Sequence, residues 1–405
     1  MLIKRLWAYE IYAFTKEAYL PYTYLCKMIY FHIPFCKQAC HYCDFHFSTS
    51  LKQKDEMLEA MHTELDQRQH YLTDRKVQSI YFGGGTPSIL NASEIERLID
   101  KISSHYDVAP DVEITLEANP DDLDKKKVEE LRHTSINRFS VGIQSFFEED
   151  LRWMNRAHNA GEAESAIKRV QDAGFENITA DLIYGYPLLT DAKWKANIEQ
   201  LLAFDIPHIS SYAMTVEQKT ALAYFIQQQK TQPMDEAQAA NQMEFLMETL
   251  TLNGFEHYEI SNFAKRGQYA KHNTNYWRGV HYMGIGPSAH SFDGKSRSWN
   301  IANNAQYIQQ TRSGSGALET EELTLRDRVN EYVMTALRTM WGIDLNRIKD
   351  VFGTEILAAI QKGVQPFIEK QQLALIDERY LRLTAAGKLL ADHIASELFI
   401  LDGYD

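Results

Sequence analysis

Tyr30-Phe-His-Ile-Pro-Phe-Cys36-Lys-Gln-Ala-Cys40-His-Tyr-Cys43 is the stretch that decides how this chain folds. Residues 29–32 form a short β-prone run, and the cysteines follow it at once, so three thiols share one loop at the end of a strand. Cys-x3-Cys-x2-Cys packs thiolates closely enough to cap three corners of an iron–sulfur cube, leaving the fourth iron without a cysteine. Only four cysteines occur in 405 residues. A disulfide framework would spread them along the chain, whereas clustering points to metal. Zinc is the alternative, with His41 or His46 completing the set, although structural zinc usually takes four ligands in pairs. Cys26 stands apart and reads as an incidental thiol.

Beyond this loop, strand and helix patterns alternate. Residues 29–32, 79–82, 112–116, 138–143, 178–183 and 208–213 are short runs rich in β-branched, aromatic or leucine residues. Helical stretches lie between them. Residues 51–71 are long and charged, with Ser50 as a candidate N-cap. Asn91-Ala-Ser-Glu94 is a capping box opening the next helix, and 191–204 is another helix. Six strands at roughly 30-residue spacing, each followed by a helix, predict a parallel sheet wound as a partial (β/α)6 barrel. Functional side chains then belong at the C-terminal ends of the strands.

The rhythm changes after about residue 230. Residues 234–252 read as a helix, 256–260 as a short strand, and 276–292 as a Gly- and aromatic-rich stretch. Arg312-Ser-Gly-Ser-Gly-Ala317 looks like a linker. Residues 324–340 and 384–398 read as helices flanking a strand pair at 373–383. The expected organisation is an extension outside the core (1–27), a partial barrel (28–230), a barrel-completing region (231–318) and a small α-rich C-terminal domain (319–405). Met28, directly before the first strand, is a candidate natural start.

With 42 basic against 55 acidic residues the net charge is −13. Such a chain repels phosphate backbones unless it carries a concentrated basic stripe. Clusters such as Lys125-Lys126-Lys127 lie beside acids and read as solvated helix surface, so nucleic acid is not expected as a partner. No apolar run approaches the ~20 residues of a membrane helix. The first 27 residues lack a signal peptide's apolar core, which points to the cytoplasm.

Further motifs follow the strands in order. Gly83-Gly84-Gly85-Thr86-Pro87 comes after the second strand, where glycines let backbone amides approach a ligand. Glu117 ends the third strand and Gln144 the fourth, Arg156 follows, and Asp181 lies in the fifth. Singly each reads as a structural polar residue. Together they place carboxylates, an amide and a guanidinium around one barrel mouth, suited to a zwitterion and a ribose.

This set resembles the radical S-adenosylmethionine superfamily, and within it the oxygen-independent coproporphyrinogen III oxidase-like family. The resemblance runs from about Met28 to the C-terminus and includes Gly284-Ile-Gly-Pro-Ser-Ala-His290 and Leu383-Thr-Ala-Ala-Gly387. It implies a 4Fe-4S cluster on Cys36, Cys40 and Cys43, with S-adenosylmethionine chelating the open iron. It also implies nucleotide contacts from Tyr30, Tyr42, Gly84, Gly85, Thr86, Glu117, Gln144, Arg156 and Asp181. One branch of the family oxidatively decarboxylates coproporphyrinogen III. The other is a haem chaperone that binds haem as cargo and passes it to acceptor proteins. The oxidase carries a fourth cysteine two residues after the third, where this chain has Phe45. Residues 1–27 also do not resemble the oxidase's N-terminal extension. The chaperone branch carries His-Asn-x-x-Tyr-Trp, matched by His272-Asn273-Thr-Asn-Tyr276-Trp277. The resemblance therefore implies the chaperone, with oxidase activity not expected. His272 is a candidate haem ligand, and Tyr276 and Trp277 are candidate stacking residues at an open mouth. A radical enzyme acting on tRNA is disfavoured by the acidic charge.

Alanine at any one of Cys36, Cys40 or Cys43 is expected to abolish a stable cluster, and alanine at Cys26 to leave it intact. Iron and sulfide content after anaerobic reconstitution checks this; an unchanged content in Cys40→Ala would contradict it.

Overall fold

Alternation along the strands sets the architecture. In the computed structural model, which describes residues 27–314 and 318–401, the six expected strands are β1 (Lys27–Ile33), β2 (Lys76–Gly84), β3 (Asp107–Ala118), β4 (Arg138–Gln144), β5 (Ile178–Tyr184) and β6 (His208–Ala213). Each pairs in parallel with the next. Ile29, Phe31, Ile80, Phe82, Ile114, Leu116, Phe139 and Val141 point outward into one apolar core beneath the helices. The alternate positions, among them Ser79, Tyr81, Glu113, Thr115, Glu117, Arg138, Ser140, Thr179, Asp181, His208 and Ser210, are polar and face one another. Residues from β2 through β6 line a single cavity. A flat sheet of six strands would be about 24 Å wide, so this convergence requires the sheet to curl into an incomplete barrel.

The connecting helices are α1 (Lys54–Gln67), α2 (Ala92–His105), α3 (Lys125–Arg132), α4 (Glu148–Trp153), α5 (Ala160–Asp172) and α6 (Asp191–Ala203). Asn91 caps α2 through the full capping box read from the sequence. Ser50 is not the cap of α1. That helix starts after Gln53, which makes no side-chain cap, because the chain first turns at residues 51–53. Next come α7 (Ala221–Gln227), α8 (Glu236–Leu252), β7 (Phe255–Glu259), β8 (Asn262–Lys265), α9 (Lys271–Trp277), β9 (Tyr282–Ile285), β10 (His290–Phe292), β11 (Ser296–Trp299), α10 (Asn304–Ser313) and β12 (Glu319–Glu322). They extend the sheet at both edges, in the order β12-β11-β10-β9-β1-β2-β3-β4-β5-β6-β8-β7.

Two sequence boundaries shift. Lys27 belongs to the core: it pairs with Val77, and its buried ammonium lies 3.0 Å from His281 Nδ1. The rest of the expected extension, residues 1–26 with Cys26, lies outside the described residues. The expected linker starts inside a helix, since Arg312 belongs to α10, which closes on Gly314 in the left-handed region (φ 69°). Its residues 315–317 lie outside the described ones.

A buried polar network closes the N-terminal end of the barrel. The Glu113 carboxylate accepts from the backbone N–H groups of Lys271 (2.8 Å) and His272 (2.9 Å), satisfying two free donors at the start of α9. Arg138 Nε lies 3.8 Å from the same carboxylate, and its guanidinium donates to Thr179. Thr179 Oγ1 meets His208 Nδ1 at 3.0 Å, and His208 Nε2 meets the Tyr258 hydroxyl at 2.8 Å. The helix α9 is thereby the floor of the barrel.

The C-terminal domain packs α11 (Leu325–Leu337) and shorter helices around the sheet β13 (Ile343–Asp344), β15 (Tyr380–Leu383) and β14 (Leu373–Ile376), in that order. The helix expected over 384–398 is two, Ala385–Lys388 and Ala391–Glu397, interrupted at Leu389 and Leu390. Met340 N donates to Tyr258 O (2.9 Å) and Ile260 N to Arg338 O (3.0 Å), which anchors the domain beside the floor. Among the described residues no helix is long and apolar enough to cross a membrane.

Candidate functional site

The cysteine loop leaves β1 at Ile33 and is sutured to its neighbours by main-chain bonds. Cys36 N donates to Ser48 O (3.0 Å) and His41 N to Met154 O (3.0 Å). The glycine run of β2 lies against the start of this loop: Gly85 N donates to Ile33 O (2.9 Å) and Thr86 N to Phe35 O (2.7 Å). A Cβ on Gly85 would sit 2.6 Å from Phe35 O, and Gly84 has φ 105° with a Cβ position 2.6 Å from His32 Nδ1. These glycines are required by the backbone that carries the cysteines, before any ligand is considered.

Cys36, Cys40 and Cys43 open onto a cavity of about 430 Å³, within the range of small-molecule sites. Tyr42, Gly84, Gly85, Thr86, Glu117, Gln144, Arg156 and Asp181 share its wall. Tyr30 is not on the wall. It stands one layer below, its ring stacked on Tyr81 at 6.1 Å and its hydroxyl 3.3 Å from His32 Nδ1. Arg156 ties the parts together: Nη1 reaches Cys40 Sγ (3.5 Å) and the Tyr42 hydroxyl (3.3 Å), while Nη2 donates to Asn119 Oδ1 (2.7 Å) and Gly142 O (2.9 Å). Its Nε is buried without a partner among the described residues, a donor suited to an anionic group in the cavity. Gln144 closes β4 in the left-handed region (φ 65°), a conformation that non-glycine residues rarely adopt and that turns its amide over Gly142.

The electrostatics are those of a buried polar pocket. Burial pushes the Glu117 carboxyl up to about 7, although the Tyr81 hydroxyl donates to it at 2.7 Å. Burial likewise lifts Asp181 to about 6, against its bonds to Ser210 and Ser140. It raises the Cys36 thiol and pushes Cys43 up to about 12, so metal binding must displace protons here.

Three thiols on one loop at the cavity suit three corners of a cluster. His41 Nδ1 is engaged with Trp153 O (2.8 Å) and His46 Nε2 with Asn304 Oδ1 (2.7 Å). Among the described residues no three His, Cys, Asp or Glu side chains converge on the position of a single ion. A cube carries its irons on separate corners and takes thiolates that stand apart, whereas zinc draws its sulfurs to about 2.3 Å. Phe45 is on the rim and 66 % exposed.

His272, Tyr276 and Trp277 are not at the mouth, contrary to the sequence reading. They lie on α9 in the floor, because Glu113 holds the start of that helix inside the barrel. His272 is 1 % exposed, and its Nδ1 lies 2.8 Å from Ser79 Oγ. Haem has no access to this imidazole in the arrangement described. Sequence reasoning also passed over Asn119, which orients Arg156 and donates to Thr86, and Tyr81, which donates to Glu117. Their signal was the polar alternation along β2 and β3.

A radical SAM superfamily model matches residues 30–201, and a HemN C-terminal domain model matches residues 323–390. The chain is 32 % identical over 371 residues to "Heme chaperone HemW" of Bacillus subtilis, covering 91 % of this chain and 98 % of that protein. It is 36 % identical over 265 residues to the Escherichia coli protein of the same name, covering 65 % and 69 % of the two chains. Among solved structures, coproporphyrinogen III oxidase (HemN) from Escherichia coli, described as a radical SAM enzyme, superposes with a TM-score of 0.79. The identity there is 24 %, over 93 % of this chain and 91 % of that one, and it shows a shared fold.

Glu117 has a measurable consequence for stability. Between its ordinary value of 4.5 and about 7 the folded protein holds a proton that the unfolded chain has released, so stability falls as pH rises through that window. Glu117→Gln keeps an acceptor for Tyr81 and removes this slope. Without cluster or nucleotide, the variant should melt a few degrees above the wild type at pH 8 and close to it at pH 5. Circular-dichroism melts at both values check this; an equal difference at the two would contradict it.

Proposed function

Because the chain belongs to the family of the heme chaperone HemW, within the radical SAM superfamily, we propose that it binds haem and passes it to acceptor proteins. In this reading it also carries a 4Fe-4S cluster with S-adenosylmethionine on the open iron, and acts in the cytoplasm, where clustered thiols stay reduced. The observation that carries the chaperone reading over its alternative, the oxidase, is Phe45. At the position of the oxidase's extra thiol stands an exposed phenyl ring on the cavity rim. A phenyl ring neither donates nor accepts a proton. With Tyr212, also exposed on the cavity wall, it offers an apolar surface to a flat ligand that must later leave.

When bound, the cluster and nucleotide supply an electron source beside a cleavable sulfonium. The chain's own residues do the holding. Cys36, Cys40 and Cys43 would ligate three irons. Arg156, fixed by Asn119 and Gly142 O, presents a guanidinium edge suited to a carboxylate. Glu117 and Asp181, half-buried on β3 and β5 with β4 between them, suit an ammonium and ribose hydroxyls, and Tyr42 covers the guanidinium from the loop. The same set serves the oxidase reading, so the test separates the two.

Titration of the purified protein with haem should give a saturable Soret band. Anaerobic incubation of reconstituted protein with coproporphyrinogen III, S-adenosylmethionine and a reductant should leave the substrate unchanged. Protoporphyrinogen IX accumulating at a catalytic rate would restore the oxidase.

A further inference from the structure

We propose that His272 is a positioning residue of the nucleotide site, holding Glu117 from beneath the cavity through the ring and hydroxyl of Tyr81. The inference rests on the S-adenosylmethionine half of the reading above and is independent of where haem binds.

The contacts run without a break. Ser79 Oγ lies 2.8 Å from His272 Nδ1 and sets the plane of the imidazole. The Tyr81 ring rests on that imidazole, centroid to centroid 5.0 Å at 31°, and Tyr30 stacks on Tyr81 at 6.1 Å. The Tyr81 hydroxyl donates to Glu117 Oε1 at 2.7 Å. A Cβ on Gly83 would lie 2.9 Å from the Tyr81 ring and 3.0 Å from both Glu117 Oε1 and Tyr30. A shift of the tyrosine is passed to the carboxylate through their hydrogen bond. From below, Tyr276 meets the imidazole edge-on at 4.9 Å, and Glu113 fixes the backbone N–H of His272 itself.

The other motif residues are also occupied as structure. Asn273 donates to the Tyr258 hydroxyl and to Glu259, each at 3.4 Å, and Trp277 takes the Arg338 guanidinium of the C-terminal domain at 5.4 Å. The one feature a haem-ligand role would use is His272 Nε2, which has no partner among the described residues. It is enclosed beneath Tyr81, and burial lowers the ring to about 3, so it is a neutral packing surface at physiological pH.

The test measures S-adenosylmethionine binding to cluster-loaded protein by equilibrium dialysis, with haem titration in parallel. His272→Ala should weaken nucleotide binding about tenfold, the cost of one hydrogen bond to a charged group. Tyr81→Phe should do the same, and the double variant should be no worse than either, since both break one link. His272→Gln keeps an amide within reach of Ser79 and should recover most of the affinity. The haem Soret band should be unchanged throughout. Should His272→Ala fail to fold, Tyr81→Phe and His272→Gln still decide, by a tenfold loss in the first and near-normal affinity in the second. Unchanged nucleotide affinity in His272→Ala or Tyr81→Phe, or loss of the Soret band with nucleotide affinity kept, would overturn the proposal. Wild-type protein that binds no S-adenosylmethionine at all would instead overturn the reading on which it rests.

Discussion

A polar group on the inner face of a barrel has no bulk water to turn to and must find its partner across the barrel axis. In this chain β3 alone turns Glu113, Thr115 and Glu117 inward, and β4 adds Arg138, Ser140 and Gln144. The buried pair of Glu113 and Arg138 resolves the deepest of these demands and recruits the first turn of α9 to do it. Everything above depends on that closure. With the floor shut, the remaining inward groups can be satisfied from one side only, and the cavity opens toward the cysteine loop.

The division of labour between the two ends follows. At the C-terminal ends of the strands, loops with main-chain sutures carry the thiols, glycines and guanidinium, as expected for a βα barrel. At the N-terminal ends the same strands carry an ion pair, Glu113 with Arg138, and His208, whose two ring nitrogens meet Thr179 and Tyr258. The C-terminal domain hangs from the floor through Tyr258, Arg338 and Trp277, not from the mouth. A ligand arriving at the rim thus meets Phe45 and Tyr212, whereas His272, Tyr276 and Trp277 stand on the floor helix beneath the cavity.

Much of this was legible in the residues. The six strands, the Asn91 capping box and the hairpin near the C-terminus follow from local pattern, because β-branched runs and capping side chains act within a few residues of themselves. The mouth residues were legible for a related reason: each sits at a strand end in a fixed order, and topology brings strand ends together. Depth was not legible. His272 beside Tyr276 and Trp277 reads like an aromatic platform for a ligand, and only the long-range bond from Glu113 turns it inward. Ser50 failed as a cap for the opposite reason, since a local signal was overridden by a turn the chain makes before α1. Asn119 and Tyr81 escaped notice because their roles are hydrogen bonds to residues far away in sequence.

The most direct measurement is an anaerobic crystal structure of reconstituted protein with S-adenosylmethionine bound. The account predicts a 4Fe-4S cluster held by Cys36, Cys40 and Cys43, the nucleotide in the cavity between Arg156, Glu117 and Asp181, and His272 still beneath Tyr81. A fourth protein ligand on the cluster, or a nucleotide bound elsewhere with His272 withdrawn from the floor, would contradict it.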